Sequence, residues 1–241
     1  MKLERLDKQL AGTGRWSRKE VKALVKAGRV QIDGVTASDP GQKLSPTARV
    51  LVDGQEIFCN AFTYLMLNKP AGVVSATEDE VEKTVIDLLP KHLQKIGLFP
   101  VGRLDKDTEG LLILTNDGPL AHALLSPRRH VEKVYFARVD GQLNEEDIKA
   151  FAQGVALRDE TVCLPAVLEP QEAGNACLVK VCEGKYHQVK RMLASRGKPV
   201  KFLKRLSMGG LSLDEALPLG GFRPLSPEET RLLAHNGDEK R

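Results

Sequence analysis

A short segment of the chain, residues 100–112, combines three carboxylates and two basic residues next to an apolar run. The acidic residues are Asp105, Asp107 and Glu109, and the basic residues are Arg103 and Lys106. Carboxylates at this density can bind a cation, exchange protons with a substrate, or attack one as nucleophiles. This segment is therefore the first candidate for a catalytic site.

Calcium binding is one chemistry to test, because Asp105-x-Asp107-x-Glu109-Gly110 is similar to the start of an EF-hand loop. Such a loop needs a bidentate Glu at its twelfth position, and the corresponding residue here is Asn116. Residues 111–114 also form a strand candidate where the loop would still bind the ion. We therefore expect no calcium. Since the four cysteines include no CxxC pair, we expect no zinc knuckle, and no metal site is assigned.

Two further kinds of enzyme use paired carboxylates. On a strand, Asp105 and Asp107 would lie on one face, and such pairs cleave glycosidic bonds. One Trp and 5% aromatic residues are few for a cleft that binds sugars, so this hypothesis is weak. A metal-dependent nuclease using Asp105, Asp107 and Glu109 stays open, and a strict requirement for magnesium would support it.

Positive charge is concentrated in two parts of the chain. Residues 1–29 contain nine Lys and Arg against three acidic residues, and residues 183–205 contain eight against one. Because the whole chain has a net charge of +4, the remainder is acidic. This pattern predicts a polyanionic partner. With no secretory signal and no apolar run near the ~18 residues of a membrane span, we expect a cytoplasmic protein without membrane contact.

Local patterns in residues 1–58 predict a small α+β domain. Leucines at helical spacing predict a first helix in residues 3–12. A second helix begins at Ser17, which can form a capping box with Glu20. Two segments, 29–34 and 49–54, then alternate like strands and end in Asp-Gly turns.

Residues 64–241, which follow a short linker at 59–63, predict a second and larger domain. Its strand candidates are 64–68, 111–115, 134–139 and 176–181, and its helix candidates are 84–89, 145–153 and 188–194. A turn is expected at Asn116-Asp117-Gly118. The excess of strands and their irregular order predict an α+β fold with a mixed, mainly antiparallel sheet.

The first part of the chain, about residues 3–55, resembles the S4 RNA-binding domain. The matching residues are Arg5-Leu6-Asp7-Lys8, Ser17-Arg18, Gly28-Arg29-Val30 and Asp33-Gly34. The resemblance implies a helical face that lies against RNA phosphates. Arg18, Lys22 and Lys26 share one face of the second helix because they are four residues apart. They would bind RNA without reading its sequence. The further candidate contacts are Arg5, Lys8 and Arg29.

Five later segments resemble the motifs of pseudouridine synthases, in that family's order. They are Leu67-Asn68-Lys69-Pro70-x-Gly72, Gly102-Arg103-Leu104-Asp105-x-x-Thr108-x-Gly110-Leu111, Glu132-Lys133-Val134-Tyr135, Glu183-Gly184-Lys185-Tyr186-His187-Gln188-Val189-Lys190-Arg191-Met192, and Leu203-x-Arg205 with Gly209-x-Leu211-x-Leu213. The stretch from residue 186 to residue 191 is most similar to enzymes that modify small-subunit (16S) rRNA. The resemblance implies isomerisation of a uridine to pseudouridine in ribosomal RNA, of the uridine-516 class.

The resemblance also implies catalytic roles. The reaction breaks the N1–C1′ bond of uridine, turns the base and rejoins it through C5. The anionic group beside the ribose would be Asp105, either as a nucleophile or as the base that removes a ribose proton. Lys190, or else Arg191, would keep this carboxylate ionised and oriented. Tyr135 would stack on the uracil and transfer a proton at C5.

The remaining candidate residues would hold the substrate. Because a stacked base is out of reach, the target must be flipped out of its helix, and Arg103 would fill or support the vacated position. Leu203 would pack against the other side of the uracil, and Lys133 belongs to the same substrate-binding set. His187 is expected to be structural or to contact RNA rather than to catalyse.

No cofactor is implied, and the expected partner is ribosomal RNA in an assembling small subunit, bound by a monomer. Two alternatives stay open. One is a pseudouridine synthase acting on 23S rRNA. The other is a non-catalytic S4-type RNA-binding or ribosome-assembly factor, against which the intact set of Asp105, Tyr135 and Lys190 argues.

Overall fold

Two units with separate hydrophobic cores make up the described part of the chain. The computed structural model describes residues 3–45, 48–57, 62–171 and 174–235. The strands are β1 (Glu4–Arg5), β2 (Val30–Ile32), β3 (Val35–Thr36), β4 (Lys43–Leu44), β5 (Val50–Val52), β6 (Gln55–Ile57), β7 (Tyr64–Lys69), β8 (Phe99–Pro100), β9 (Glu109–Thr115), β10 (Lys133–Val139), β11 (Val167–Pro170), β12 (Ala176–Val181), β13 (Val200–Met208), β14 (Leu211–Ser212) and β15 (Phe222–Pro224). The helices are α1 (Leu6–Gly12), α2 (Arg18–Lys26), α3 (Lys91–Gln94), α4 (Gly118–Leu125), α5 (Glu145–Gln153), α6 (Gln188–Ser195) and α7 (Pro227–His235), with a 3₁₀ turn at Pro127–Arg129.

The N-terminal unit packs α1 and α2 against a small antiparallel sheet. The sheet order is β3-β2-β5-β6, and the apolar faces of both helices share one core with it. The predicted capping box is confirmed, since Ser17 accepts a hydrogen bond from the Glu20 amide and Glu20 accepts one from the Ser17 amide. Asp33 and Gly34 both have positive φ, as a tight hairpin turn requires.

The second unit is built on one mixed sheet with the order β11-β12-β10-β13-β9-β7-β15. Its neighbours along this path pair antiparallel, except that β9 and β13 run parallel. Gly110 lies at this parallel contact, where an added Cβ would be 2.2 Å from the Arg205 carbonyl oxygen. The predicted α+β class with a mixed, mainly antiparallel sheet is confirmed.

The sequence prediction is wrong in two places in this unit. Residues 84–89 are not helical, because Asp87 accepts hydrogen bonds from the Thr84 amide and hydroxyl and Val74 forms a bridge with Thr84. Such local side-chain bonds compete with a helix, and a short helix begins only after Pro90. The expected turn at 116–118 instead starts α4, because Asp117 caps its N-terminus.

Three remaining points concern the ends and joints of the fold. The predicted linker at 59–63 lies partly outside the described residues, and the domain boundaries drawn from it stay predictions.

The helices and strands predicted at 145–153, 176–181 and 188–194 are confirmed to within one residue. Of the helices described here, none has the length and apolarity needed to cross a membrane.

Candidate active site

A fully buried lysine at the end of β7 holds the loop that carries Asp105. The Nζ atom of Lys69 donates to four backbone carbonyls at 2.9–3.3 Å, those of Pro70, Asp105, Lys106 and Thr108. Carbonyl oxygens only accept hydrogen bonds, so an ammonium group is the matching donor. Burial lowers the pKa of Lys69 to about 8, although the carboxylates of Asp107 and Asp105 act to raise it.

Other hydrogen bonds fix the same loop from its outer side. The Ser75 hydroxyl donates to the Leu104 carbonyl at 2.8 Å and accepts from the Leu104 amide at 3.0 Å. The amide of Gly72 donates to the Lys106 carbonyl at 2.8 Å. The backbone around Asp105 is therefore preorganised by residues that precede it by 30 positions or more.

The carboxylate of Asp105 meets the first turn of α6. Its Oδ2 lies 3.0 Å from Lys190 Nζ, and its Oδ1 lies 3.3 Å from His187 Nε2. The positive end of the helix dipole adds to the attraction for a carboxylate here. The side chain of Asp105 keeps about a quarter of its surface exposed, so a substrate can still reach it.

Lys190 bridges two carboxylates rather than one. Its Nζ also lies 2.5 Å from Oδ1 of Asp107, whose side chain is three-quarters exposed. The bond from Lys190 holds the pKa of the Asp107 carboxyl below its usual value. Burial lowers the pKa of Lys190, but its hydrogen bonds to Asp107 and Asp105 outweigh this and raise the pKa above the usual value. Lys190 is therefore a permanent cation beside Asp105 at neutral pH.

Two neighbouring strands bring three more side chains to the same place. Leu203 and Arg205 lie on one face of β13 because they are two residues apart, and Arg205 pairs directly with Tyr135 of β10. Arg205 is buried and donates from Nε to the Leu111 carbonyl at 2.8 Å. Tyr135 packs against the cores on both sides of the parallel contact.

These residues enclose a cavity that we call the inner pocket. It has a volume of about 80 Å³. Its lining includes Arg103, Asp105, Tyr135, His187 and Leu203. The inner pocket thus presents one carboxylate, one aromatic ring and one aliphatic side chain to a ligand.

A wider depression, the outer groove, opens from the inner pocket. It shares Arg103, Asp105 and His187 with the inner pocket and extends over residues 74–77 and over Tyr186. Its volume is about 970 Å³, so it can accommodate a short nucleotide strand. A pocket for one base joined to a groove for its chain is the geometry that base flipping needs.

The comparison with protein families decides the kind of enzyme. A family model described as RNA pseudouridylate synthase matches residues 63–195, and an S4 domain model matches residues 4–50. The chain belongs to the RNA pseudouridylate synthase family. It is an RNA pseudouridine synthase of α+β fold with an N-terminal S4 domain.

Relatives of this pseudouridine synthase match it over almost its whole length. The uncharacterized RNA pseudouridine synthase YtzG of Bacillus subtilis is 50% identical over 233 residues, covering 95% of this chain and 98% of the relative. The ribosomal small subunit pseudouridine synthase A of Pseudomonas aeruginosa is 39% identical over 228 residues, covering 93% and 98%. A crystal structure described as a pseudouridylate synthase matches with a TM-score of 0.68 at 33% identity, covering 95% of this chain and 99% of that one.

The structure of this synthase brings together five of the seven predicted catalytic and substrate-binding residues. They are Arg103, Asp105, Tyr135, Lys190 and Leu203. Arg191 points elsewhere, with Nη2 at 2.5 Å from Asp159 and Nη1 donating to the Tyr186 carbonyl. Lys133 is buried beside the pocket, where its Nζ donates to the Val131 carbonyl. Its substrate-binding role stays a prediction.

The six predicted RNA-binding residues of the S4 domain fall into two groups. Arg18, Lys22 and Lys26 are exposed along α2, and no ion pair of theirs is found within the described residues. The other three form ion pairs on the S4 surface, Arg5 with Asp7, Lys8 with Glu4, and Arg29 with Asp53. The α2 face therefore offers the less compensated positive charge of the two groups.

Neither the hydrogen bonds of Lys69 nor the contact of His187 with Asp105 was predicted from the sequence. His187 and Lys190 are three residues apart, so a helix places them on one side, and this spacing could have indicated that both meet Asp105. For Lys69 the only sequence signal is a lysine at the end of an apolar strand, since three of its four carbonyl partners are remote in sequence. Lys91 and His92, which line the cleft between the two units with Lys8 and Arg18, gave no signal.

Proposed function

We propose that this enzyme isomerises one uridine of 16S rRNA, of the uridine-516 class, to pseudouridine in an assembling small subunit. The observation that carries the proposal is the Asp105 carboxylate, held by Lys190 at 3.0 Å in a pocket that also contains Tyr135 and Leu203. The choice of RNA rests on relatives named ribosomal small subunit pseudouridine synthase A. It also rests on the basic segment at residues 186–191.

In the proposed mechanism, the target uridine leaves its stack and enters the inner pocket. Asp105 then acts at the ribose, as a nucleophile or as the base that removes a ribose proton, while the N1–C1′ bond breaks. Tyr135 stacks on the freed uracil and Leu203 packs on its other side. The uracil turns, and its C5 bonds to C1′ as Asp105 leaves C1′ or returns the ribose proton. C5 then gives up its proton to Tyr135 and N1 takes up a proton, so the product is an isomer of the uridine. Arg103, which is exposed at the rim, fills or supports the place that the uridine left.

Lys190 has two tasks in this mechanism. Its ammonium orients the Asp105 carboxylate by a direct bond, and it places a positive charge next to the reacting group. Lys190 also lies between Asp105 and Asp107, where a two-carboxylate nuclease would bind its metal ion. We therefore propose a reaction that needs neither metal nor cofactor.

The test of this proposal is to incubate the enzyme with immature small subunits, with free 16S rRNA and with 23S rRNA, each in excess chelator and, in parallel, with magnesium. Pseudouridine is then mapped at each uridine. We expect one new pseudouridine in 16S rRNA. Modification of 23S rRNA alone would overturn the choice of substrate, and magnesium-dependent cleavage without pseudouridine would overturn the reaction.

Replacing Lys190 tests how Asp105 is held. Lys190→Met should lower the rate of pseudouridine formation by about 100-fold, because a positioned charge next to the reacting group is lost. Lys190→Arg is the matched control and should stay within about tenfold of the wild type, since it keeps a cation. Single-turnover rates measure both. Equal rates for Lys190→Met and wild type would contradict the role proposed for this lysine.

Charge reversal on α2 tests the S4 domain. Replacing Arg18, Lys22 and Lys26 together with Glu should weaken RNA binding. It should also lower the slope of the logarithm of the binding constant against the logarithm of the salt concentration by about 2 to 3 units. The control is Lys149→Glu on α5, whose lysine is equally exposed but distant in sequence from both basic segments. Binding titrations at several salt concentrations measure the slopes. An unchanged slope in the triple variant would exclude this face from RNA binding.

The setting proposed for this reaction follows from its substrate. Small-subunit RNA is assembled in the cytoplasm, so we propose that the enzyme works there as a monomer, without membrane contact. The partner is the partly assembled subunit, because a wide basic surface and a deep pocket suit folded RNA.

A further inference from the structure

An exposed aromatic ring stands at the edge of the outer groove, where the mechanism has given it no task. Tyr186 is 73% exposed, which is unusual for a large ring in a loop next to an active site. Its ring stacks on that of His187, with centroids 3.8 Å apart and planes 19° from parallel. One face of Tyr186 is therefore covered by His187.

The loop that carries this stacked pair is rigidly held. The Gln188 side chain accepts from the Lys185 amide at 3.0 Å and donates to Glu183 at 2.7 Å. The guanidinium of Arg191 donates to the Tyr186 carbonyl. His187 has a φ of 47°, a conformation that costs energy in a residue with a side chain and that is found at functional sites. The ring is thus presented in one orientation before any ligand arrives.

The pair is also joined to the catalytic carboxylate. His187 Nε2 lies 3.3 Å from Asp105 Oδ1, so Tyr186 is two contacts away from the group that acts on the ribose. Tyr186 and His187 both line the outer groove, and His187 also lines the inner pocket. The nucleotide next to the flipped uridine must lie near Tyr186 and His187, because a phosphate links it to the uridine in the inner pocket.

We propose that Tyr186, supported by His187, is a stacking platform for the nucleobase adjacent to the flipped uridine. This inference rests on the proposed function, and it adds a second base-binding subsite beside the inner pocket. A nucleobase is the ligand that suits the site, because it stacks face to face on aromatic rings. The cations Arg103, Lys106 and Lys185 along the same groove attract its phosphates. The platform fixes the position of this neighbouring base without reading its identity.

Substitutions at Tyr186 separate stacking from other roles. Tyr186→Ala should raise KM for the RNA about tenfold, as expected for loss of one base–aromatic stack, and leave kcat nearly unchanged. Tyr186→Phe should behave like wild type, and Tyr186→Leu like the Ala variant. The control for loss of an exposed apolar side chain is Val35→Ala on β3, which is 71% exposed and lies outside both cavities.

A fluorescent base gives a readout that a merely structural role would not change. The catalytically inactive Asp105→Asn protein is mixed with target RNA that carries 2-aminopurine on either side of the uridine. Stacking on Tyr186 should quench the probe at one of the two positions. Adding Tyr186→Ala to the same protein should restore its fluorescence.

The outcomes separate this inference from the proposed function. Equal KM values and equal quenching with and without the Tyr186 ring would overturn the platform, while pseudouridine formation in 16S rRNA would still stand. Modification of another RNA would overturn the proposed substrate, and the same variants would then be compared on that RNA. A KM that rises equally in the Phe and Ala variants would show a role for the hydroxyl and would also overturn stacking.

Discussion

Replacing Asp105 with Asn should lower the rate of pseudouridine formation by at least about 1000-fold. The amide has nearly the same shape as the carboxylate, so it fits between Lys190 and His187, but it can neither attack the sugar nor accept a ribose proton. The protein should stay folded, because Lys190 keeps its contact with Asp107. Single-turnover assays on the modified RNA give the rate, and thermal unfolding checks the fold.

Asp107→Asn is the matched control for this variant. The substitution is identical, only two residues away, and it affects a carboxylate that bonds to the same lysine. Because Asp107 is mostly exposed and does not line the inner pocket, we expect a loss below about tenfold. If Asp105→Asn keeps full activity, or if Asp107→Asn is the more damaging change, the catalytic assignment is wrong.

Replacing Lys69 with Met should have the largest effect on stability. Four carbonyl oxygens would lose the Nζ donor. Those of Asp105 and Lys106 keep the amides of Thr108 and Gly72 as donors, so the loss falls mainly on Pro70 and Thr108, at a cost of about 3 kcal/mol. The loop that carries Asp105 would also lose its anchor. Since a displacement of ~1 Å can cost about 100-fold in rate, kcat should fall by that order at temperatures where the variant is folded.

The control for Lys69 is Lys106→Met, in the same loop. Lys106 is exposed and pairs with Glu82 at 2.7 Å, and such surface pairs contribute ~0–1 kcal/mol. Chemical denaturation of both variants measures the difference in the free energy of unfolding. A Lys69→Met protein as stable and active as Lys106→Met would exclude the anchoring role.

The difference in stability between wild type and Lys69→Met should depend on pH. Burial lowers the pKa of Lys69 to about 8 from an ordinary value of 10.5, so the unfolded chain binds this proton more tightly. The charged form therefore costs stability below about pH 8. The cost is relieved as pH rises from about 8 towards 10.5. The stability of wild type relative to Lys69→Met should increase over that window.

The sequence alone predicted those features whose residues all lie within a single motif. The capping box of α2 follows from Ser17 and Glu20, whose partners are three residues apart. The choice of Asp105, Tyr135 and Lys190 came from motif resemblance, and the structure brings their segments to one pocket. Local spacing and family pattern were sufficient here, because neither requires knowledge of distant contacts.

What the sequence could not give depends on contacts between distant segments. The role of Lys69 arises mainly from three carbonyls 36 or more positions away, and nothing about a single lysine predicts them. Arg191 was a plausible partner for Asp105, but its guanidinium is held by Asp159. The helix expected at 84–89 failed for a local reason, since Thr84 and Asp87 bond to each other. Such competition is easily missed in an apolar run.

The parallel contact between β9 and β13 has a consequence for how the enzyme becomes active. Only two residue pairs, Glu109 with Lys204 and Gly110 with Arg205, join the two halves of the large sheet there. Asp105 lies just before β9 in the first half, whereas Tyr135, Leu203 and the helix bearing Lys190 belong to the second. Parallel pairing across such a long stretch of chain forms late. Asp105 therefore meets Lys190 and Tyr135 only when the two halves have joined, and catalytic competence arises in the step that closes this seam.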